Sequence, residues 1–244
     1  MPGFFDRILA IDHSITRRFE LDYLIFDALF LVVYVLALIR SRRLVPLKAG
    51  LGFVVPIYLI DAVIWTALGV REYGISAPWI KHAVDFMMDV SYSIVAFSWV
   101  WIAFEKRSVR DVALWTAGLF AGWLLVPALS RAFHVDDEPI TTIRHMQSQV
   151  WLQILAVIAG YVLLVALKVG WRQILYLFCV GCTLTFMMEF SLMVTGVRPR
   201  SVDLLIYETL ILTNQGVPYI YVIWDKILPA LKRRLAARKT VELA

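Results

Sequence analysis

Five acids, Asp61, Asp85, Asp89, Glu189 and Glu208, stand inside stretches otherwise apolar enough to cross a membrane. A charge at a bilayer centre costs from ~2.5 kcal/mol on insertion scales to more than ~10 kcal/mol in simulations, so such side chains face a protein interior and mark a functional site by default. Burial disfavours an ionised carboxylate, so an acid placed this way can hold its proton at neutral pH and donate it. These five form the expected catalytic set.

Their spacing predicts convergence. His82, Asp85, Asp89 and Tyr92 recur at intervals of three and four residues, one stripe of an α-helix. Asp61 lies about nine residues, roughly 13 Å, from one end of its apolar segment, and Asn214 falls at a similar depth in the last segment. In Asn214-Gln215-Gly216-Val217-Pro218 the proline cannot donate to the Asn214 carbonyl. This predicts a broken helix whose free carbonyl lines a cavity. His82, Tyr92, Asn214, Gln215, Tyr219 and Trp65 are the expected substrate-binding wall, and no metal is assigned. The alternative is structural: polar groups also hold membrane helices together by interhelical hydrogen bonds.

The elements that must position these groups are helices. The chain has 244 residues, 61% of them hydrophobic and 18% charged, with a mean hydropathy of +0.75, far from a soluble domain. Apolar segments over about 22–40, 48–70, 80–104, 110–132, 149–168, 172–195 and 203–227 are each long enough to cross a ~30 Å hydrocarbon core. The expected fold is an all-α, polytopic bundle of about seven transmembrane helices over 21–229. Residues 1–20, with charges throughout and no unbroken apolar run, read as an amphipathic surface helix carrying Phe4, Phe5, Ile8, Ile11 and Ile15, rather than as a cleavable signal. A basic tail occupies 230–244.

Of the 24 Lys and Arg residues, 15 fall on the side of the turns near Arg42, Arg107 and Lys168 and of the tail, about nine on the other. By the positive-inside rule the N terminus is extracytoplasmic and the C terminus cytoplasmic. The longest loop, about 133–148, then lies outside and could cap the bundle. No repeat suggests a duplicated transporter.

Several classes are excluded or weakened. The net charge of +5 sits at segment ends, where it orients a membrane protein, so no nucleic-acid partner is expected. His82, Asp85, Asp89 and Glu189 are a conceivable hard-ligand set, but no paired-histidine motif supports it. Cys179 and Cys182 could form a redox dithiol, yet they lie in an apolar helix without a neighbouring cation. The last span has no interior lysine for a retinal Schiff base. A proton-coupled transporter of a small lipophilic molecule fits the buried acids and stays open.

The chain resembles, along its whole length, the integral-membrane terpene cyclases of fungal meroterpenoid and indole-diterpene pathways, seven-helix proteins that cyclise prenyl chains by protonating an epoxide or olefin. In that family an essential acid lies midway along the second helix in an Asn-Phe-Ala-Trp-Glu motif, and another lies in the last helix. Here Tyr58-Leu59-Ile60-Asp61 matches by position and acidity without the rest of the motif, and Asn214 stands at or near the last-helix acid. Tyr92 onward to Phe104-Glu105-Lys106, and Gln149-Val150-Trp151-Leu152-Gln153, are similar in character to family segments. The resemblance implies a prenylated lipophilic substrate delivered by membrane lipid, no cofactor, and carbocations stabilised by aromatic faces. An amide cannot donate the proton, so the donor falls to Asp61, Glu189 or Glu208, with a neighbouring carboxylate or His82 taking the final proton.

Overall fold

The computed structural model describes residues 10, 11 and 13–234. Among these residues six helices are long and apolar enough to cross a membrane: α1 Leu21–Arg40, α2 Leu44–Trp65, α3 Pro78–Glu105, α4 Val109–Ala132, α5 Gln147–Ala166 and α6 Trp171–Val194. The last apolar segment is interrupted, as α7 Val202–Ile211 and α8 Val217–Val222, the latter running into a π-helical turn, Ile223–Ile227. The break falls at the site expected from Pro218, which takes the second position of α8, where a missing N–H costs nothing. The second span ends about five residues earlier than its apolar run, because Gly69 turns left-handed (φ 67°) and β2 follows at once.

Helices α3 and α6 are the most buried of the six, and Trp99, Ile102, Leu177 and Leu184 place the main core between them. The outward faces stay apolar: Leu29, Val32, Val33 and Leu36 on α1, and Leu152, Leu155, Ile158 and Val162 on α5, are all exposed. Exposed apolar surface this extensive marks contact with a membrane or with a partner protein. Helix α2 approaches α3 through Gly50, where a Cβ would lie 2.6 Å from the Ile94 carbonyl oxygen, and Ser98 Oγ donates to the Pro46 carbonyl at 3.0 Å. Such small-residue contacts replace the hydrophobic effect between helices in lipid.

One end of the bundle is closed by a three-stranded antiparallel sheet in the order β1-β3-β2, with β1 Ser14–Glu20, β2 Arg71–Gly74 and β3 Pro139–His145. Strand β1 corrects the surface helix expected over 1–20 at residues 14–20; of the remainder Ala10, Ile11 and His13 are described, Ala10 as helical, and Phe4, Phe5 and Ile8 lie outside the described residues. The physical reason is a period of two: Ile15 and Phe19 are buried on the inner face while Arg18 is exposed, and the strand gains a full ladder with β3, from Ser14 opposite His145 to Glu20 opposite Pro139. In the same way Ile140, Thr142 and Arg144 of β3 are buried. The 133–148 loop therefore caps the bundle as a strand.

Candidate functional site

Beneath the sheet lies a cavity of about 260 Å³. Its roof follows from strand register. Arg17 is opposite Thr142, Arg71 is opposite Arg144, and residues two apart on a strand share a face. Arg17, Arg71 and Arg144, one from each strand, consequently point into the same space and all line it. The walls are apolar and aromatic, including Trp65, Met88, Phe97, Trp123 and Leu184, with Thr213, Gln215 and Gly216 of the α7–α8 break closing one side.

Three acids line the cavity: Asp27 of α1, Asp61 of α2 and Asp89 of α3. The last two stand in π-helical turns, Leu59–Trp65 and Phe86–Ser91, a local form that recurs at functional sites because the wider turn re-aims side chains. Asp61 Oδ1 accepts from both Nε (2.9 Å) and Nη2 of Arg71, and Arg71 Nη1 also reaches Met88 Sδ at 3.3 Å. Asp89 is 1% exposed; no N–H or hydroxyl donor reaches its oxygens among the described residues, and the carboxyl group within hydrogen-bonding reach of it is that of Asp61. Its strongest ionisable neighbour is Asp61.

Glu189 and Glu208 stand behind the roof rather than in the wall. Glu189, fully buried, accepts from Arg17 at 3.0 Å and, on its other oxygen, from Arg198 of the α6–α7 connection. Glu208 meets Arg144 only at 3.4 Å. Four guanidinium groups thus face three carboxylates, and Nε of Arg17, Nε of Arg144 and Nη2 of Arg198 are buried without a partner among the described residues. Arg144 is the least compensated: burial pulls its guanidinium below its ordinary value, with Glu208 opposing, while its other close neighbour is the Trp65 ring, 5.6 Å from the guanidinium carbon. For Arg17 burial acts in the same direction, but the nearby carboxylates, Glu189 above all, outweigh it and leave the group above its ordinary value.

Of the residues expected from sequence, the fold brings Asp61, Asp89, Tyr92, Trp65 and Gln215 to the cavity. It does not bring the others. His82 is exposed, and Asp85 is held by Lys81 at 2.7 Å and by the Tyr73 hydroxyl at 2.6 Å. Burial, then the hydrogen bond to Asp85, push the Tyr73 phenol up. The single stripe from His82 to Tyr92 fails because the π turn between them holds more residues than an α turn, so a step of four no longer returns to the same face. Asn214 is wholly buried but turned away: Oδ1 accepts from the Tyr161 hydroxyl at 2.6 Å, and Nδ2 donates to the Leu210 carbonyl at 3.0 Å and to Cys182 Sγ at 3.4 Å. Tyr219 donates to the Ala156 carbonyl at 2.8 Å.

Sequence reasoning missed the arginine roof and Asp27. Asp27 was detectable as an acid within the first apolar span. The arginines were detectable only through the alternation in Ile15-Thr16-Arg17-Arg18-Phe19 and Ile140-Thr141-Thr142-Ile143-Arg144. The hard-ligand set considered for a metal is dispersed. Among the described residues, the one group with ligand atoms within 4.8 Å of one another is Glu20, His134 and Asp137, outside the cavity. No family model, curated protein or solved structure matches the chain.

Proposed function

We propose that the chain is a multi-pass membrane enzyme acting on an isoprenoid or related lipid, an acid-initiated cyclase in which Asp89 delivers the proton to an epoxide or olefin. The α7–α8 pair serves as the seventh span, and the sheet faces the extracytoplasmic side. This orientation is favoured by the partition of the 24 Lys and Arg residues, most of which lie at the tail and at the turns near Arg42, Arg107 and Lys168, on the side away from the sheet.

The observation that carries the reading is the Asp61 and Asp89 pair. Two carboxyl groups sharing one dry site do not both ionise readily. Asp61, gripped by Arg71, is the carboxylate of the two. Asp89, which no N–H or hydroxyl donor reaches among the described residues and which meets the Asp61 carboxyl, is the neutral acid. Protonating a prenyl epoxide opens the ring with the proton on oxygen and leaves a cation on carbon, which the π bond of the same chain attacks. Trp65, Tyr92 and Trp123 present aromatic faces to that cation, each worth ~0.5 to 2 kcal/mol, and the apolar wall excludes the water that would quench it. Loss of a proton to Asp89 or Asp61 ends the sequence, so the product is an isomer of the substrate.

Purified protein in detergent, given an epoxidised prenyl compound and a chelator, is expected to yield an isomer of equal mass. Asp89→Asn is expected to reduce turnover at least ~100-fold while the protein remains folded. Turnover within a few-fold of the parent in Asp89→Asn would remove Asp89 from the mechanism. Unchanged prenyl compounds, together with proton-driven flux of a lipophilic solute into reconstituted vesicles, would replace the enzyme with a transporter.

A further inference from the structure

We infer that the arginine roof is a binding site for the oxyanion head of a single-chain amphiphile, a prenyl or acyl chain bearing a carboxylate or a phosphate. The inference rests on the proposal above only in taking the cavity below as the place of the chain, and it concerns recognition, not proton transfer.

Three observations carry it. Four guanidinium groups, Arg17, Arg71, Arg144 and Arg198, share three carboxylates, Asp61, Glu189 and Glu208, as ion-pair partners, while the cavity's other two acids, Asp27 and Asp89, form no ion pair among the described residues. Donor capacity is left over: Nε of Arg17 and Nε of Arg144 are buried and unpartnered among the described residues, both side chains line the cavity, and Arg144 is 8% exposed. A buried guanidinium N–H left unmatched is costly, and the planar fork of arginine matches carboxylate and phosphate oxygens. The third observation is position. The arginines lie on strands at the end of the helices, which in the proposed membrane placement is the level of the lipid headgroups, while the aromatic and methionine wall is carried by the helices. An amphiphile would therefore enter with its head at its native depth and its chain beside Asp89.

The cavity, about 260 Å³, stands at the small end of ligand pockets, which suits one chain rather than two. Helix α2 is the least buried of the six and packs on α3 and α1. Its Ile57, Ile60 and Trp65 line the cavity together with Thr213, Gln215 and Gly216 of the α7–α8 break.

The test uses the full chain in neutral detergent, titrated with a prenyl carboxylate, a prenyl monophosphate and the prenyl alcohol of the same length, with binding read by native mass spectrometry. At least one oxyanion probe is expected to bind about tenfold or more tightly than the alcohol, as for a charge-assisted hydrogen bond. The preference should fall in Arg144→Lys and vanish in the double variant Arg144→Gln/Glu208→Gln, which leaves neither charge buried alone. Equal binding of all three probes, or a preference that persists in the double variant, overturns the inference. Inorganic phosphate that displaces the probe at the probe's own concentration overturns the amphiphile and assigns the roof to a free anion. Asp89→Asn should keep the oxyanion preference while losing turnover, so failure of the acid chemistry and failure of this site give different results.

Discussion

Arg71 and Asp61, ten residues apart across the turn from α2 to β2, are joined by two hydrogen bonds from one guanidinium to a single carboxylate oxygen. Arg71 is 4% exposed, and its pair ties the sheet to the helix bundle at the cavity wall. Removing one partner would leave the other charge buried and unmatched, which typically costs 3–5 kcal/mol, whereas removing both is far milder. Asp61→Asn should therefore lower the denaturation midpoint in detergent sharply, and Arg71→Gln/Asp61→Asn should recover much of the loss. A double variant no more stable than the single would show that the pair does not act as a unit.

The extracytoplasmic placement proposed for the sheet is open to a direct test. Val135→Cys, beyond α4 beside the sheet, and Val109→Cys, at the start of α4, are both at exposed positions. In intact cells an impermeant thiol reagent should label the first and not the second. The reverse pattern would put the arginine roof on the cytoplasmic side.

The helices were legible because each apolar run exceeds what a soluble fold can bury, and the α7–α8 break was legible because Pro218 removes one specific donor. The acids were legible as charges in apolar windows. Their partners were not. Asp85 and Asp89 share an α-helical spacing of four, but the π turn at Phe86–Ser91 separates them, sending one to Lys81 and Tyr73 and the other to the cavity. No local pattern announces a π turn, which depends on tertiary packing. The roof was hidden for a different reason. Residues 14–20 carry both helical and alternating patterns, and only the distant partner strand, Pro139–His145, decides between them.

Gly181 marks a contact between α6 and the α7–α8 break, since a Cβ there would run into the Asn214 side chain. Overpacking of this kind costs typically 1–3 kcal/mol. Gly181→Ala should lower thermal stability by that order, and Asn214→Ala in the same chain should relieve the clash. Asn214→Ala alone should also destabilise, because the Tyr161 hydroxyl loses its acceptor. A pair of effects that simply add would show that the two sites do not touch.

Pro218 tests whether the break shapes the cavity. Its ring packs against Gly160 of α5, where a Cβ would approach it to 3.0 Å, and it supplies no N–H to the Asn214 carbonyl. The chain instead closes the turn through Gly216 N–H and Val217 N–H, both donated to the Thr213 carbonyl at 2.9 and 3.0 Å. Thr213, Gln215 and Gly216 are thereby held in the cavity wall. Pro218→Ala restores the donor and lets residues 212–216 join a continuous helix, withdrawing Gln215 and Gly216 from the wall. Affinity for the best-bound prenyl probe should fall about tenfold, while the denaturation midpoint changes little, because the regained helix bond offsets the lost ring contact. Hydrogen exchange over 212–218 should slow in the same variant. Exchange and affinity both unchanged would mean that the break persists without the proline and is set by packing against α5 and α6.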